Sequence, residues 1–148
     1  MRLHAITGLL FLLGFTAGAL AAQKSETLAE MKARAATVPV EERVRVCAGI
    51  ARRAVDEAKD RYSKGDGEEG KLLLNDVEAY ADKAADAAIQ TKKHEKQLEI
   101  DLREISHRLE ALKRELSPED QPAADAVMGH LEKLRTRLLN SMFSKGKR

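Results

Sequence analysis

Apolar residues recur along most of this chain in steps of three and four, the spacing that gathers them on one side of an α-helix. Val44, Ala48, Ala51, Val55, Ala58 and Tyr62 form one such stripe, with Cys47 beside it. Val38 and Pro39 open that helix, because proline drives the residue before it out of helical geometry and itself suits a first helical position. Gly65 and Gly67 close it, since glycine reaches the left-handed backbone of a helix exit. The predicted element spans 39–63. Upstream, Thr27 and Glu30 have the spacing of a capping box, which predicts a short helix over 27–36.

Beyond Gly70 no glycine or proline interrupts the chain before Pro118, and Val77, Ala84, Thr91, Leu98, Ile105 and Leu112 recur every seven residues. One helix over 69–116 follows, roughly 70 Å long at about 1.5 Å per residue. Leu73, Tyr80 and Ala87 accompany the stripe in its first half; Leu102, Leu109 and Leu116 do so in the second. The stripe therefore changes partner near the polar run 91–97. Ser117 and Pro118 start a last helix over 118–142, with Ala124, Val127, Leu131, Leu134 and Leu138 as its seam and Pro122 delaying its regular part toward Ala123.

The expected fold class is all-α: an elongated antiparallel helical bundle. One long central helix is packed by two shorter ones laid end to end, plus the short N-terminal helix. Such a layout is two helices thick and buries little. Either the short helix fills a third side, or the chain forms a homodimer along the long helix. Ile89 and Ile100, on the face opposite the main seam, are the self-association candidates, together with Cys47.

Residues 1–21 break the amphipathic pattern. Arg2 is followed by an uncharged stretch rich in Leu and Phe, and Ala19, Leu20 and Ala21 give the small-x-small spacing that a signal peptidase accepts. Cleavage after Ala21 is expected, with Ala22 as the alternative. The domain division is a signal peptide over 1–21 and one helical domain over 22–148, in which 143–148 is a basic flexible tail. The protein is then periplasmic or secreted, without stable membrane binding after cleavage. Left uncleaved, the same stretch spans roughly 27 Å as a helix and would tether the chain to the inner membrane.

Composition narrows the function classes. Of 26 basic residues only Arg2 leaves with the signal, against 24 acidic ones that stay, so no strong positive field points to nucleic acid. Tyr62, Tyr80 and Phe143 are the aromatics outside the signal, which argues against base-stacking platforms and aromatic-lined pockets. The lone Cys47 leaves an exported chain without an internal disulfide and reads as a small buried side chain or an intermolecular bridge. Glu104 and His107 have the spacing of one half of a carboxylate-bridged metal site, but neither His94 nor His130 repeats it and His4 lies in the signal. No metal, no cofactor and no enzyme activity is expected. The basic groups Arg43, Arg45, Arg52 and Arg53 interleave with acids, and Glu57 with Arg61, Glu99 with Arg103 and Glu104 with Arg108 are spaced as helix-supporting pairs. The role expected is a structural or interaction module with an unknown protein partner; the alternative is a chaperone-like or stress-sensing helical protein.

Three resemblances accompany this reading. The stretch from Ile50 to Gly70, with Tyr62 before a Gly-Asp turn at Gly65 and Asp66, resembles the first helix and turn of tetratricopeptide-like hairpins. The segment from Ala87 to Ile100 is the most distinctive part of a chain that looks like a family of short exported helical proteins of soil acidobacteria, which implies location and fold and no activity. Leu116 to Gln121 is similar to the L-T-x-x-Q motif of periplasmic helical chaperones, one residue longer and present once.

Overall fold

The computed structural model describes residues 25–144; the expected signal segment with its candidate cleavage residues Ala19, Ala21 and Ala22 lies outside them, as does 145–148 of the tail expected over 143–148, whereas Phe143 ends the last helix. Five helices follow one another: α1 (Leu28–Thr37), α2 (Val40–Ser63), α3 (Gly67–Thr91), α4 (Glu95–Glu115) and α5 (Gln121–Phe143). Among the described residues there is no strand, so the chain is an all-α bundle.

Local chemistry sets most boundaries. Thr27 accepts a bond from the Glu30 amide at 3.2 Å while the Glu30 carboxylate takes the Thr27 amide at 2.7 Å, so the capping box is complete. Pro39 sits one residue before α2, as its N-cap. Gly65, at φ +83°, turns the chain from α2 into α3. The last helix begins at Gln121, not at Pro118: the Ser117 carbonyl accepts from the amides of Asp120 and Gln121, and that turn precedes the regular helix.

The expected single helix over 69–116 is two helices. The backbone stops at Thr91 and resumes at Glu95, with Lys92 at φ 57° and His94 at φ 62°, both left-handed. A side chain in that conformation costs about 1–2 kcal/mol, so no local preference for a turn made this elbow. Packing made it. Glu95 is buried, and its carboxylate takes the Ser141 hydroxyl of α5, which also takes the Lys92 ammonium at 2.6 Å. Folding back lays α4 and α5 against α2 and α3, so that each pair covers the other's apolar face.

Side-chain pairing fixes the topology. Arg52 meets Asp101, Asp56 meets Arg108 and Lys59 meets Glu115, numbers rising together, so α2 and α4 run parallel. Asp82 with His130 and Asp86 with Arg137 make α3 and α5 parallel. Glu99 with Arg135 and Lys113 with Asp125 run the other way, so α4 and α5 form an antiparallel hairpin, as α2 and α3 do across Gly65. The bundle goes up, down, up, down, and in cross-section its neighbours follow the order α2, α3, α5, α4. The expected end-to-end layout along a spine is therefore replaced by two hairpins laid against each other.

Each helix from α2 to α5 now packs against at least two others, and the buried arc is wider than one seam. The stripe residues of α2, α4 and α5 are buried as expected, Tyr62 only partly. Beyond them α2 also buries Val46, Ile50 and Ala54, and α3 buries Leu74, Ala81, Ala85 and Ala88. Helix α1 lies across the α2–α3 hairpin, its Lys32 paired with Asp76 of α3. No described helix is long and apolar enough to cross a membrane.

Candidate functional site

The shielding of α2 and α3 by α1 is incomplete, and a groove of about 430 Å³ remains where the three helices meet. Tyr80, Lys83, Ala87 and Gln90 of α3 line one wall at helical spacing, three turns that extend over roughly 15 Å. Lys32, Ala35 and Ala36 of α1 and Val40 and Arg43 of α2 supply the rest of the apolar and basic lining. Ala35 and Ala87 are buried, whereas Lys83 and Gln90 stand exposed at the rim.

The charges of this groove are unevenly matched. Lys32 is taken by Asp76, and Asp86, the acid in the lining, is taken by Arg137 at 2.9 Å. Lys83 instead lies over the ring of Tyr80, its ammonium 4.4 Å from the centroid, with Lys32 at 5.8 Å. The Arg43 guanidinium reaches only the Val38 carbonyl, at 3.4 Å, and its Nε is buried with no partner. Among the described residues neither Arg43 nor Lys83 has a carboxylate partner. A buried guanidinium N–H left unpaired is costly, and a carboxylate is the group whose geometry it best accepts.

Cys47, one helical turn beyond Arg43, is fully buried. Burial pushes its thiol up from the ordinary value, and Lys83 and Arg43 offset this only in part. The thiol stays protonated at neutral pH and is unsuited to nucleophilic attack. Bridging a second chain through it requires the helix to open first.

Ile89 and Ile100 do not share a face. The angle that aligned them assumed a continuous helix; the elbow puts Ile89 on α3, partly packed against the core, and Ile100 on α4, 43% exposed. Glu104 is bound to Arg108 at 2.9 Å with Arg52 at 3.7 Å, and His107 beside it is exposed. His94 forms the elbow, and His130 pairs with Asp82 at 2.9 Å. Among the described residues no three His, Cys, Asp or Glu side chains converge on a point that could hold a metal.

Sequence reasoning missed the groove because it is made by three helices. One signal was present: Arg43 has Pro39 and Val40 behind it and Val46 and Cys47 ahead, so no acid stands at helical pairing distance. No family model, no curated protein and no solved structure matches this chain.

Proposed function

We propose that this chain is an exported, non-catalytic interaction module that holds an acidic, extended segment of a partner protein in the groove between α1, α2 and α3. The observation that carries the reading is that Arg43 and Lys83 both line the groove and neither has a carboxylate partner among the described residues. Lys83 on its ring platform supplies a second cation at the rim. Two carboxylates of one bound segment would meet them, and the apolar floor at Ala35, Val40 and Ala87 suits the small side chains between. Three turns of α3 give roughly 15 Å, the reach of about four or five extended residues, which favours a segment of chain over a single small anion. The signal-like pattern of residues 1–21 supports placing this activity outside the cytoplasm.

The large exposed apolar residues Leu72, Ile100 and Phe143 sit on α3, α4 and α5, and this scatter does not favour a chaperone surface. Fluorescence anisotropy tests the proposal with two labelled peptides, one alternating glutamate with alanine and valine, the other carrying lysine in place of glutamate. The acidic peptide binds, and Arg43→Gln and Lys83→Gln each weaken it by about tenfold, the worth of one charge-assisted bond. Equal binding of the two peptides, or variants indistinguishable from the parent, removes the reading.

A further inference from the structure

The elbow between α3 and α4 sets local backbone preference against tertiary packing. Residues 92–94 are Lys, Lys and His, none of them a turn former, yet Lys92 and His94 hold the left-handed backbone that favours glycine. The seven-residue apolar spacing from Val77 through Thr91 to Leu112 keeps its phase straight through the elbow. A continuous helix would therefore carry both seams along one side.

What keeps the chain folded back is the contact between its two hairpins. Arg52 with Asp101, Asp56 with Arg108 and Asp82 with His130 all cross from the α2–α3 hairpin to the α4–α5 hairpin. None of these pairs requires both hairpins to come from one molecule. We propose that two copies of this chain exchange their α4–α5 hairpins, the elbow straightening so that α3 and α4 become one helix in each.

The exchanged dimer keeps the ion pairs between hairpins, gives up the bond of Lys92 to Ser141 at the elbow itself, and releases the strained backbone at Lys92 and His94, while a short strained connection is the kind of hinge that invites exchange. The bond of Ser141 to Glu95 survives, because both residues belong to the exchanged hairpin. Arg43, Tyr80 and Lys83 all precede the elbow, so each half of the dimer retains a whole groove. Two grooves on one particle would bind a partner that carries two acidic segments with avidity.

Zero-length crosslinking distinguishes exchange from dimerisation of closed monomers. The full chain, produced with its own N-terminal segment, is made in light and in ¹⁵N-labelled form; the two are mixed unfolded and refolded together over a concentration series. Light scattering reports the dimer and carbodiimide couples adjacent Lys and acid side chains. Lys59 lies 2.7 Å from Glu115 across the hairpins, and Lys113 lies 2.7 Å from Asp125 within one hairpin. In the dimer about half of the Lys59–Glu115 crosslinks join light to heavy, as random exchange dictates, while Lys113–Asp125 joins like to like. Replacing Lys92 and His94 together by glycine removes the strain and weakens the straight helix, and lowers the dimer association constant by about tenfold or more. A parent that stays monomeric throughout the series, a dimer whose Lys59–Glu115 crosslinks are all same-label, or a glycine variant that dimerises as the parent does would each overturn the proposal.

Discussion

Single residues act here mostly through space on the neighbouring helix, and two glycines show the contrast. Gly70 starts the second arm of the first hairpin, and a Cβ there would stand 2.6 Å from Cε2 of Tyr62 and 2.8 Å from Cζ. Tyr62 packs into the hole left by the missing side chain. Gly129 in α5 would place its Cβ within 4 Å of nothing. Gly129→Ala is expected to stabilise the fold by about 0.5–1 kcal/mol through helix propensity. Gly70→Ala gains the same propensity but is expected to lose about 1–3 kcal/mol to overpacking, and the net change is destabilising. Urea denaturation measures both, and combining Gly70→Ala with Tyr62→Ala abolishes the penalty; a penalty unchanged in the double variant refutes the steric cause. The hole was invisible in the sequence, because Tyr62 and Gly70 stand on different helices and meet only across the hairpin.

Between elements, buried polar pairs set which helices meet. Glu99 of α4 is 6% exposed and is held by two cations, Arg103 of its own helix and Arg135 of α5. Hydrogen bonds from Arg103 and then Arg135 keep its carboxyl below the ordinary glutamate value, against the opposing effect of burial. Folding thus favours the ionised form, and the stability this supplies is present above the unfolded-state value, about 4.3, and drains away as pH falls through the lower folded value. Chemical denaturation at pH 7 and pH 3 is expected to show the parent losing more stability on acidification than Glu99→Gln, which starts less stable at pH 7. Equal losses would show that the pair does not link α4 to α5. Half of this cluster was legible, since Glu99 and Arg103 stand four residues apart on one helix. Arg135 entered only when α5 folded back onto α4.

At the scale of the whole molecule, the signal-like segment and the described helices occupy separate parts of the chain. The described helices begin at Leu28, and residues 1–21 carry the basic, apolar and small-residue succession of a removable signal. Intact-mass measurement of the protein recovered from the cell envelope is expected to give residues 22–148, with Ala22 first; a full-length chain in the membrane fraction would point to the tether instead. The core and groove residues described all lie beyond the segment.

The sequence by itself determined the helical class, the positions of the turns at Pro39, Gly65 and Ser117, and the residues that line each seam. All of these follow from interactions within about one helical turn, which periodicity, caps and breakers report directly. Only tertiary structure decided the rest. The polar run 91–97, where the stripe changes partner, marked the place of the elbow at Lys92 and His94 but not the turn, because the turn costs backbone energy that packing of α4 and α5 against the first hairpin repays. With the elbow came the parallel pairing of α2 with α4 and of α3 with α5, and the loss of the shared face of Ile89 and Ile100. The groove too depends on where α1 lies across α2 and α3, and its unmatched charges, Arg43 and Lys83, stand on different helices.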